Sequence, residues 1–216
     1  MCGVAGIIYK KNIKQIKQIN FANLKKSINH RGPDNFNYIL DNNIFFYHSR
    51  LSIIDLKNRS NQPFYSNDKR YVIIFNGEIY NYKFLRKKLS ALYKFKTTSD
   101  TEVLLASYIV WKEKCLNFLE GAFAFCIYDR FLNINFLARD RFGQKPLHYH
   151  INNNSILFGS EVKSLIAFGY KPKPNLNVWK EYLINGMFPE KDKTFFLNIF
   201  QVQPGEYIII DKKLNI

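Results

Sequence analysis

The chain has 216 residues, of which 47% are hydrophobic and 17% aromatic, so it can fill the core of one large domain or two small ones. Its formal net charge is +15, but the basic residues are dispersed and no nucleic-acid-binding motif accompanies them, so we expect no nucleic-acid partner. No apolar run is long enough to span a membrane, and three cysteines do not make a disulfide framework, so we expect no membrane partner and a cytoplasmic location.

The second residue is the first candidate for chemistry. Cys2 follows the initiator methionine and precedes Gly3, and a residue as small as Cys permits the removal of Met1. Removal would leave a thiol and a free α-amine on one residue, with ordinary pKa values of ~8.5 and ~7.7–8.0. This is the N-terminal form of a nucleophile–base pair. A lone Cys is more often a small buried residue, so Cys2 alone does not decide between the two interpretations.

Hydrophobic periodicity in the first half of the chain predicts strands and helices. The turn signal at 41–43 predicts a hairpin, and Ser99 with Glu102 predicts a helix that begins with a capping box. The predicted elements are a strand at 4–9, a loop and helix with apolar residues Ile13, Ile16, Phe21, Leu24 and Ile28, strands at 38–40 and 44–49, a polar loop at 58–68, a strand at 71–75 that stops at Asn76-Gly77, a helix with apolar residues Tyr82, Leu85, Leu89 and Leu92, and a helix from Ser99 to about Lys114.

In the second half the strands come in adjacent pairs. The predicted elements are a short helical piece ended by Gly121, strands at 122–129, 134–139, 147–151 and 155–159, a helix capped by Ser160 and ending at Gly169, a helix at 178–185 ended by Gly186, and a turn at Pro204-Gly205 leading into 206–211. Paired strands with helices between the pairs favour antiparallel sheets with helices on their outer faces. No Gly-rich phosphate loop occurs.

Four residues are candidates for substrate contacts. Asn76 and Gly77 can form an oxyanion hole, although Asn-Gly is also a very common turn dipeptide. Arg50 can bind a carboxylate through two parallel hydrogen bonds, or it can be an ordinary surface residue. Asp100 can bind an ammonium group, or it can complement the dipole of its helix. His and Cys residues show no metal-ligand spacing, so no metal site is predicted.

Seven motifs occur together and in order along the chain. They are MCGVAG at 1–6, HRGPD at 30–34, HSRLSIIDL at 48–56, FNGEIYN at 75–81, SDTE at 99–102, FLARDRFG at 136–143 and FGSEVK at 158–163. Each motif is weak alone, but the ordered set is specific. It closely resembles the glutaminase domain of glutamine-hydrolysing asparagine synthetases, which are class II glutamine amidotransferases, and the resemblance covers nearly the whole chain.

The resemblance implies an α+β fold, the αββα sandwich of N-terminal-nucleophile hydrolases, with two stacked, mainly antiparallel sheets and helices outside. It implies one domain over 1–216, with about 190–216 leading toward a synthetase domain. It also implies Cys2 as nucleophile, Asn76 and Gly77 as oxyanion hole, and release of ammonia from L-glutamine through a glutamyl thioester. The implied glutamine-binding residues are Arg50 for the carboxylate, Asp100 for the ammonium, and Leu51, Ser52, Ile53, Ile54, Asn76, Gly77 and Glu78. Residues 30–34 would form a loop closing over glutamine.

The chain departs from the family in one respect. The family continues into a synthetase domain with a Ser-Gly-Gly-x-Asp-Ser motif, which is absent here. We therefore expect no cofactor in this chain, ATP and Mg²⁺ only in that domain, and a synthetase domain or subunit as partner. Exposed apolar residues at 208–210 would mark the contact. A homodimer, a relative that amidates a sugar acid, a non-catalytic regulatory module and a nucleic-acid-binding protein stay open, and Arg139, Arg141 and Lys145 have no assigned role.

Overall fold

A computed structural model describes residues 1–11, 19–188 and 191–216, so the predicted apolar positions Ile13 and Ile16 lie outside the described residues. The strands are β1 (Gly3–Tyr9), β2 (Asn35–Asp41), β3 (Ile44–Arg50), β4 (Phe64–Tyr65), β5 (Tyr71–Ile79), β6 (Gly121–Asp129), β7 (Ile134–Arg139), β8 (His148–Ile151), β9 (Ser155–Gly159), β10 (Phe200–Gln201) and β11 (Tyr207–Ile210). The α-helices are α1 (Phe21–Ile28), α2 (Tyr82–Leu89), α3 (Asp100–Trp111), α4 (Val162–Ala167) and α5 (Leu176–Asn185). No described helix is both long and apolar enough to cross a membrane.

The strands form two antiparallel sheets. The first has the order β10-β8-β9-β1-β3-β2, and the second has the order β11-β7-β6-β5-β4. The predicted hairpin joins β2 to β3 through Asn42, which takes the left-handed conformation that Asn tolerates in tight turns. Sequence neighbours pair in both sheets, as the adjacent strand patterns predict.

The sheets are stacked face to face, with helices on both outer sides. Side chains from the two sheets meet in one buried cluster, to which Val4 and Phe46 contribute from the first sheet and Ile74 from the second. A second cluster packs the outer face of the second sheet against α3, and a third packs the outer face of the first sheet against α1 and α4. The predicted αββα sandwich is therefore confirmed.

The inner layer changes from apolar to polar at one end. Side chains alternate between the faces of a strand, so the inward series on β1, β3 and β5 can be read directly. Its apolar members are Val4, Ile8, Ile44, Phe46, Val72 and Ile74. The same alternation continues to four polar residues, Cys2, His48, Arg50 and Asn76. This end of the sandwich holds the candidate site.

Local helix signals were less reliable than the strand patterns. Ser99 caps α3 as predicted, by accepting from the Thr101 N–H, but the Glu102 carboxylate accepts from Lys96 and Thr97 instead of closing a capping box. The prediction that Ser160 caps a helix is wrong. Its hydroxyl accepts from the Val4 N–H, and the N-cap position of α4 belongs to the next residue.

Two predicted boundaries also moved. The helix α3 ends at Trp111 and not near Lys114, and Lys112 then takes a positive φ of 50°. Gly121 does not end a helical piece but begins β6. Glycine fits this position because a Cβ would overlap the Glu78 carbonyl oxygen of the paired strand.

The predicted exposed apolar marker at 208–210 holds only for Ile209, which is 36% exposed. Ile210 is buried and Ile208 packs against the inner cluster, because β11 pairs with β7 at the edge of the second sheet. The largest exposed apolar side chains near the end of the chain lie on and after α5: Leu183, Ile184 and Phe188 are 67–74% exposed.

Candidate active site

The polar end of the sandwich encloses a cavity of about 100 Å³. It lies between the first residues of the chain, the loop after β3, the second half of β5 and the start of α3. Its lining residues are Met1, Cys2, Arg50, Leu51, Ile53, Ile54, Ser60, Gln62, Phe75, Asn76, Gly77, Glu78, Ser99, Asp100, Thr101 and Lys145. Of the predicted site residues, only Ser52 is missing from this lining; its main-chain N–H donates to Asp34 Oδ2 (2.7 Å).

Cys2 lies immediately before β1, and hydrogen bonds hold both its side chain and its main chain. Its Sγ accepts from the Leu51 N–H (3.4 Å) and donates to the Leu51 carbonyl oxygen (3.6 Å). Its own carbonyl oxygen accepts from Arg31 Nε (2.9 Å), and that guanidinium pairs with Glu161 (3.0 Å). Burial raises the pKa of the Cys2 thiol, so forming a thiolate at neutral pH requires a base close by.

The donors opposite Cys2 come from a strand edge that has no partner strand. The strand β4 is only two residues long and pairs with Ile73 and Val72. Beyond it, side chains replace the missing strand: the Phe75 N–H donates to Gln62 Oε1 (2.6 Å), and the Ile79 N–H donates to Asp100 Oδ2 (3.0 Å). We call Phe75, Gly77 and Ile79 on this side the open edge of β5.

Gly77 lies midway along the open edge and directs its N–H at the cavity. Main-chain groups two residues apart point to the same side of a strand, so Gly77 faces the way Phe75 and Ile79 do. Its partner in β6, Phe123, makes its main-chain hydrogen bonds with Asp140 instead. The Phe123 N–H donates to Asp140 Oδ2, and the Asp140 N–H donates to the Phe123 carbonyl oxygen. The prediction that the strand stops at Asn76-Gly77 is wrong. Sheet pairing continues through both residues, and Gly fits because a Cβ would overlap the Ala122 carbonyl oxygen.

Asn76 adds a second donor. Its side chain is fully buried, and neither Nδ2 nor Oδ1 has a hydrogen-bond partner within the described ranges. A buried amide without a partner is unfavourable by about 1–3 kcal/mol, so such a group is rarely retained without a ligand or water to bind. The Asn76 amide and the Gly77 N–H together have the chemistry of an oxyanion hole.

The guanidinium of Arg50 already holds a loop. Its two terminal nitrogens donate to the carbonyl oxygens of Ile54, Asp55 and Lys57 and to Asn61 Oδ1, over 2.5–3.4 Å. Four of its five donors are thus engaged before any ligand binds. Arg50 lines the cavity, and it also shapes the 51–57 loop around it. No sequence pattern predicts this second set of contacts.

Asp100 is a nearly buried carboxylate at the start of α3. It is 6% exposed, and burial raises its pKa to about 6. A positively charged ligand group would lower that pKa again and satisfy the buried charge. The raised pKa and the position in the cavity suit a site for an ammonium group.

The model of the glutamine amidotransferase domain family matches residues 1–215. The chain belongs to the glutamine amidotransferase family. The resemblance that the ordered motifs indicate is therefore confirmed, and the chain is homologous to the glutamine-hydrolysing part of asparagine synthetases.

Two relatives support this assignment, and one solved structure shares the fold. Asparagine synthetase (glutamine-hydrolysing) 3 of Bacillus subtilis is 44% identical over 172 residues, covering 77% of this chain and 28% of the relative. Asparagine synthetase 1 of the same organism is 40% identical over 218 residues, covering 97% and 33%. Glutamine phosphoribosylpyrophosphate amidotransferase of B. subtilis has a TM-score of 0.69 at 21% identity, covering 97% of this chain and 47% of that one. This amidotransferase chain spans a third or less of the length of these two asparagine synthetases.

The amidotransferase cavity contains residues that sequence reasoning missed. Gln62, Ser60 and Thr101 line it, although the sequence placed the first two in an undistinguished polar loop. Lys145 lines it as well, while Arg139 Nε holds the Lys145 carbonyl oxygen (2.9 Å). Arg141 donates to Leu119 and Leu116, so both arginines anchor main-chain turns. Among the described residues, no three His, Cys, Asp or Glu side chains converge as metal ligands.

Proposed function

We propose that this cavity hydrolyses L-glutamine and supplies the ammonia for asparagine synthesis. The observation that carries the proposal is the pairing of two free donors, the Gly77 N–H and the Asn76 amide, with the Cys2 thiol in one cavity. Asp100 adds an ammonium site in the same space. A thiol nucleophile facing preorganised donors is the arrangement that acyl transfer needs.

The reaction begins after Met1 has been removed. The free α-amine of Cys2 takes the thiol proton, and Sγ attacks the side-chain amide carbon of glutamine. The carbonyl π pair moves to oxygen, and the Gly77 N–H and Asn76 Nδ2 stabilise the charge that develops. When the pair returns, the C–N bond breaks, and the leaving nitrogen takes the proton from the α-ammonium and departs as ammonia. Water then cleaves the thioester, which gives glutamate and restores the thiol.

Glutamine is held at both ends of its amino-acid group. The Asp100 carboxylate pairs with the ammonium, and Arg50 pairs with the carboxylate. Because three of the Arg50 hydrogen bonds hold carbonyl oxygens of the 51–57 loop, carboxylate binding exchanges some of these contacts and reshapes the loop. Leu51, Ile53, Ile54 and Glu78 complete the pocket.

The acceptor lies outside this chain. The matched part of the B. subtilis relatives is 28–33% of their length, and their printed names describe asparagine synthetases. We assign the amidation of aspartate to a synthetase domain or subunit that binds ATP and Mg²⁺ and takes up the released ammonia.

A pair of matched variants tests the glutaminase proposal. Asn76 and Asn135 are both buried amides of the second sheet, and neither side chain has a partner within the described ranges. In Met1-free protein, Asn76→Ala should lower kcat for ammonia release from glutamine about 10²–10³-fold, the usual effect of one oxyanion donor. Asn135→Ala, at the far end of β7, should leave kcat unchanged. Equal effects of the two variants would contradict the assigned role, and wild-type protein without ammonia release would contradict the function.

A further inference from the structure

Two buried side chains hold the main chain of β5 immediately before the oxyanion donors. Gln62 is 4% exposed, and its Oε1 accepts from the Phe75 N–H at 2.6 Å. His48 is 1% exposed, and its Nε2 donates to the Phe75 carbonyl oxygen at 3.0 Å. Because a carbonyl only accepts, Nε2 carries the proton, and burial lowers the pKa of His48 to about 4, so the ring is neutral.

These contacts occur where the sheet provides none. The strand β4 begins only at Phe64, opposite Ile73, so no neighbouring strand reaches Phe75 on the open edge. Without Gln62 and His48, both main-chain groups of Phe75 would be buried and unsatisfied. The Phe75 carbonyl belongs to the peptide group that carries the Asn76 nitrogen. Holding this peptide plane restrains the Asn76 backbone, from which the Asn76 side chain and the next N–H, that of Gly77, are directed.

Gln62 also reaches the other half of the site. Its Nε2 donates to Thr101 Oγ1 (3.2 Å), and Thr101 follows Asp100 in the first turn of α3. One amide side chain thus joins the strand of the oxyanion donors to the helix that carries the ammonium site. We infer that Gln62 and His48 are positioning residues for the oxyanion hole, an inference that rests on the proposed function.

The substitution Gln62→Leu tests the inference by leaving the Phe75 N–H without an acceptor. A displacement of about 1 Å at a reacting group is expected to lower rates on the order of 10²-fold. We expect kcat for glutamine hydrolysis to fall about 10–100-fold, with KM changed less than about threefold, because the Asp100 and Arg50 contacts remain. Gln203→Leu, which removes a glutamine side chain outside the cavity, is the matched control and should match wild type.

A second readout separates positioning from general damage. Alkylation of Cys2 by iodoacetamide breaks a carbon–iodine bond and forms no oxyanion, so its rate in Gln62→Leu should equal that of wild type. The γ-aldehyde of glutamate forms a thiohemiacetal instead: Sγ bonds to the aldehyde carbon, and the carbonyl pair moves to oxygen. Its affinity should fall with kcat in Gln62→Leu, because only this adduct uses the oxyanion donors.

Gln62→Glu provides the rescue. A carboxylate keeps an acceptor for the Phe75 N–H and can accept from the Thr101 hydroxyl, so aldehyde affinity should exceed that of Gln62→Leu. Unchanged kcat and aldehyde affinity in Gln62→Leu would overturn the inference, as would a parallel loss of iodoacetamide reactivity in a folded variant. Wild type that binds the aldehyde but releases no ammonia would contradict the glutaminase function alone, and the aldehyde comparison would still decide the role of Gln62.

Discussion

Asp100 shows how one residue links burial to substrate choice. Its carboxylate is 6% exposed, accepts from the Ile79 N–H and has a pKa raised to about 6 by burial. An ionised group in such a place is unfavourable until a cation joins it. Burial makes the ionised Asp100 carboxylate unfavourable in the empty site, and for the same reason it would favour a ligand with an ammonium group.

The first prediction concerns the pH dependence of glutamine binding. Below about pH 6, Asp100 is protonated in the empty site and cannot pair with an ammonium. We expect KM for glutamine to rise about tenfold for each pH unit below 6 and to be flat from pH 7 to 8. His48 and Glu161, with pKa values of about 4 and about 2, do not titrate in this range. Steady-state kinetics from pH 5 to 8 measure this, and a KM independent of pH would exclude the ammonium role.

The second prediction concerns stability. The folded-state pKa of Asp100 lies above its unfolded value of ~3.9, so its ionisation opposes folding, and the loss accumulates as pH rises through about 6. Asp100→Asn cannot ionise. It should therefore increase the free energy of unfolding by about 1–3 kcal/mol at pH 8. Urea denaturation at pH 8 and pH 4 measures the difference, which should shrink at pH 4, and a variant less stable at pH 8 would contradict the argument.

The third prediction separates the three cysteines. Cys2→Ala should abolish ammonia release, and wild-type activity should follow the Met1-free fraction measured by intact mass, because an amide nitrogen cannot act as the base. Cys126 is fully buried in the inner layer, as its apolar surroundings in the sequence predict, and Cys115 is likewise buried. Cys126→Ala should lower stability by about 1–2 kcal/mol through the cavity it leaves and keep kcat unchanged. Full activity in protein that retains Met1 would exclude the N-terminal base.

At the scale of elements, a short strand creates the site. The strand β4 pairs only with Val72 and Ile73 of β5, which leaves the second half of β5 to side chains and substrate. The dipeptide Asn76-Gly77 suggests a turn when read locally, yet in the fold it continues the ladder with β6. Tertiary pairing outweighs a dipeptide preference here, since Gly77 lies against a neighbouring carbonyl that a side chain would displace.

The fourth prediction follows from this packing. Gly77→Ala places a methyl group against the Ala122 carbonyl oxygen and should separate β5 from β6 at the oxyanion hole. We expect kcat to fall at least about 100-fold, together with a lower melting temperature. Gly186→Asn is the matched control, because Gly186 has open space around it and a left-handed φ that Asn tolerates. Kinetics and thermal unfolding of both variants check this, and an active Gly77→Ala would contradict the assigned donor geometry.

The sequence predicted most strands, the sandwich and the composition of the cavity, because alternation and ordered motifs are properties of the chain itself. It did not predict which side chains replace the missing strand at Phe75, since that depends on where β4 begins. Gln62 lies in a loop with no periodic signal, and its two partners are 13 and 39 residues away. The contacts of Arg50 with the 54–57 carbonyls are only 4–7 residues apart in sequence, and they were missed because this loop also has no periodic signal.

At the scale of the whole molecule, the packed apolar part of the sandwich and the candidate site occupy different ends of the inner layer. The inner layer is apolar over most of its length and polar at one end, so the packed part fixes the geometry of the part that is not packed. The exposed apolar side chains of α5 lie outside this arrangement, on the surface.

The fifth prediction concerns what residues 1–216 do alone. Given glutamine, aspartate, ATP and Mg²⁺, Met1-free protein should release ammonia and form neither asparagine nor pyrophosphate. The proposed glutamine site has a candidate nucleophile, oxyanion donors and two candidate anchors, whereas the sequence contains no Gly-rich phosphate loop to bind ATP. Assaying the three products separately tests this, and pyrophosphate from this chain would show an ATP site.

The unpartnered amide of Asn76 has a consequence for laboratory evolution. Replacing it, or the charge of Asp100, with an uncharged or apolar group removes a buried penalty, so both substitutions should increase resistance to heat. A library screened only for survival at high temperature should therefore accumulate changes at these two positions early, while the apolar inner layer stays as it is. The surviving variants would be more resistant to heat but would no longer release ammonia. The order in which positions change would show which residues lower the stability of the fold because the proposed reaction requires them.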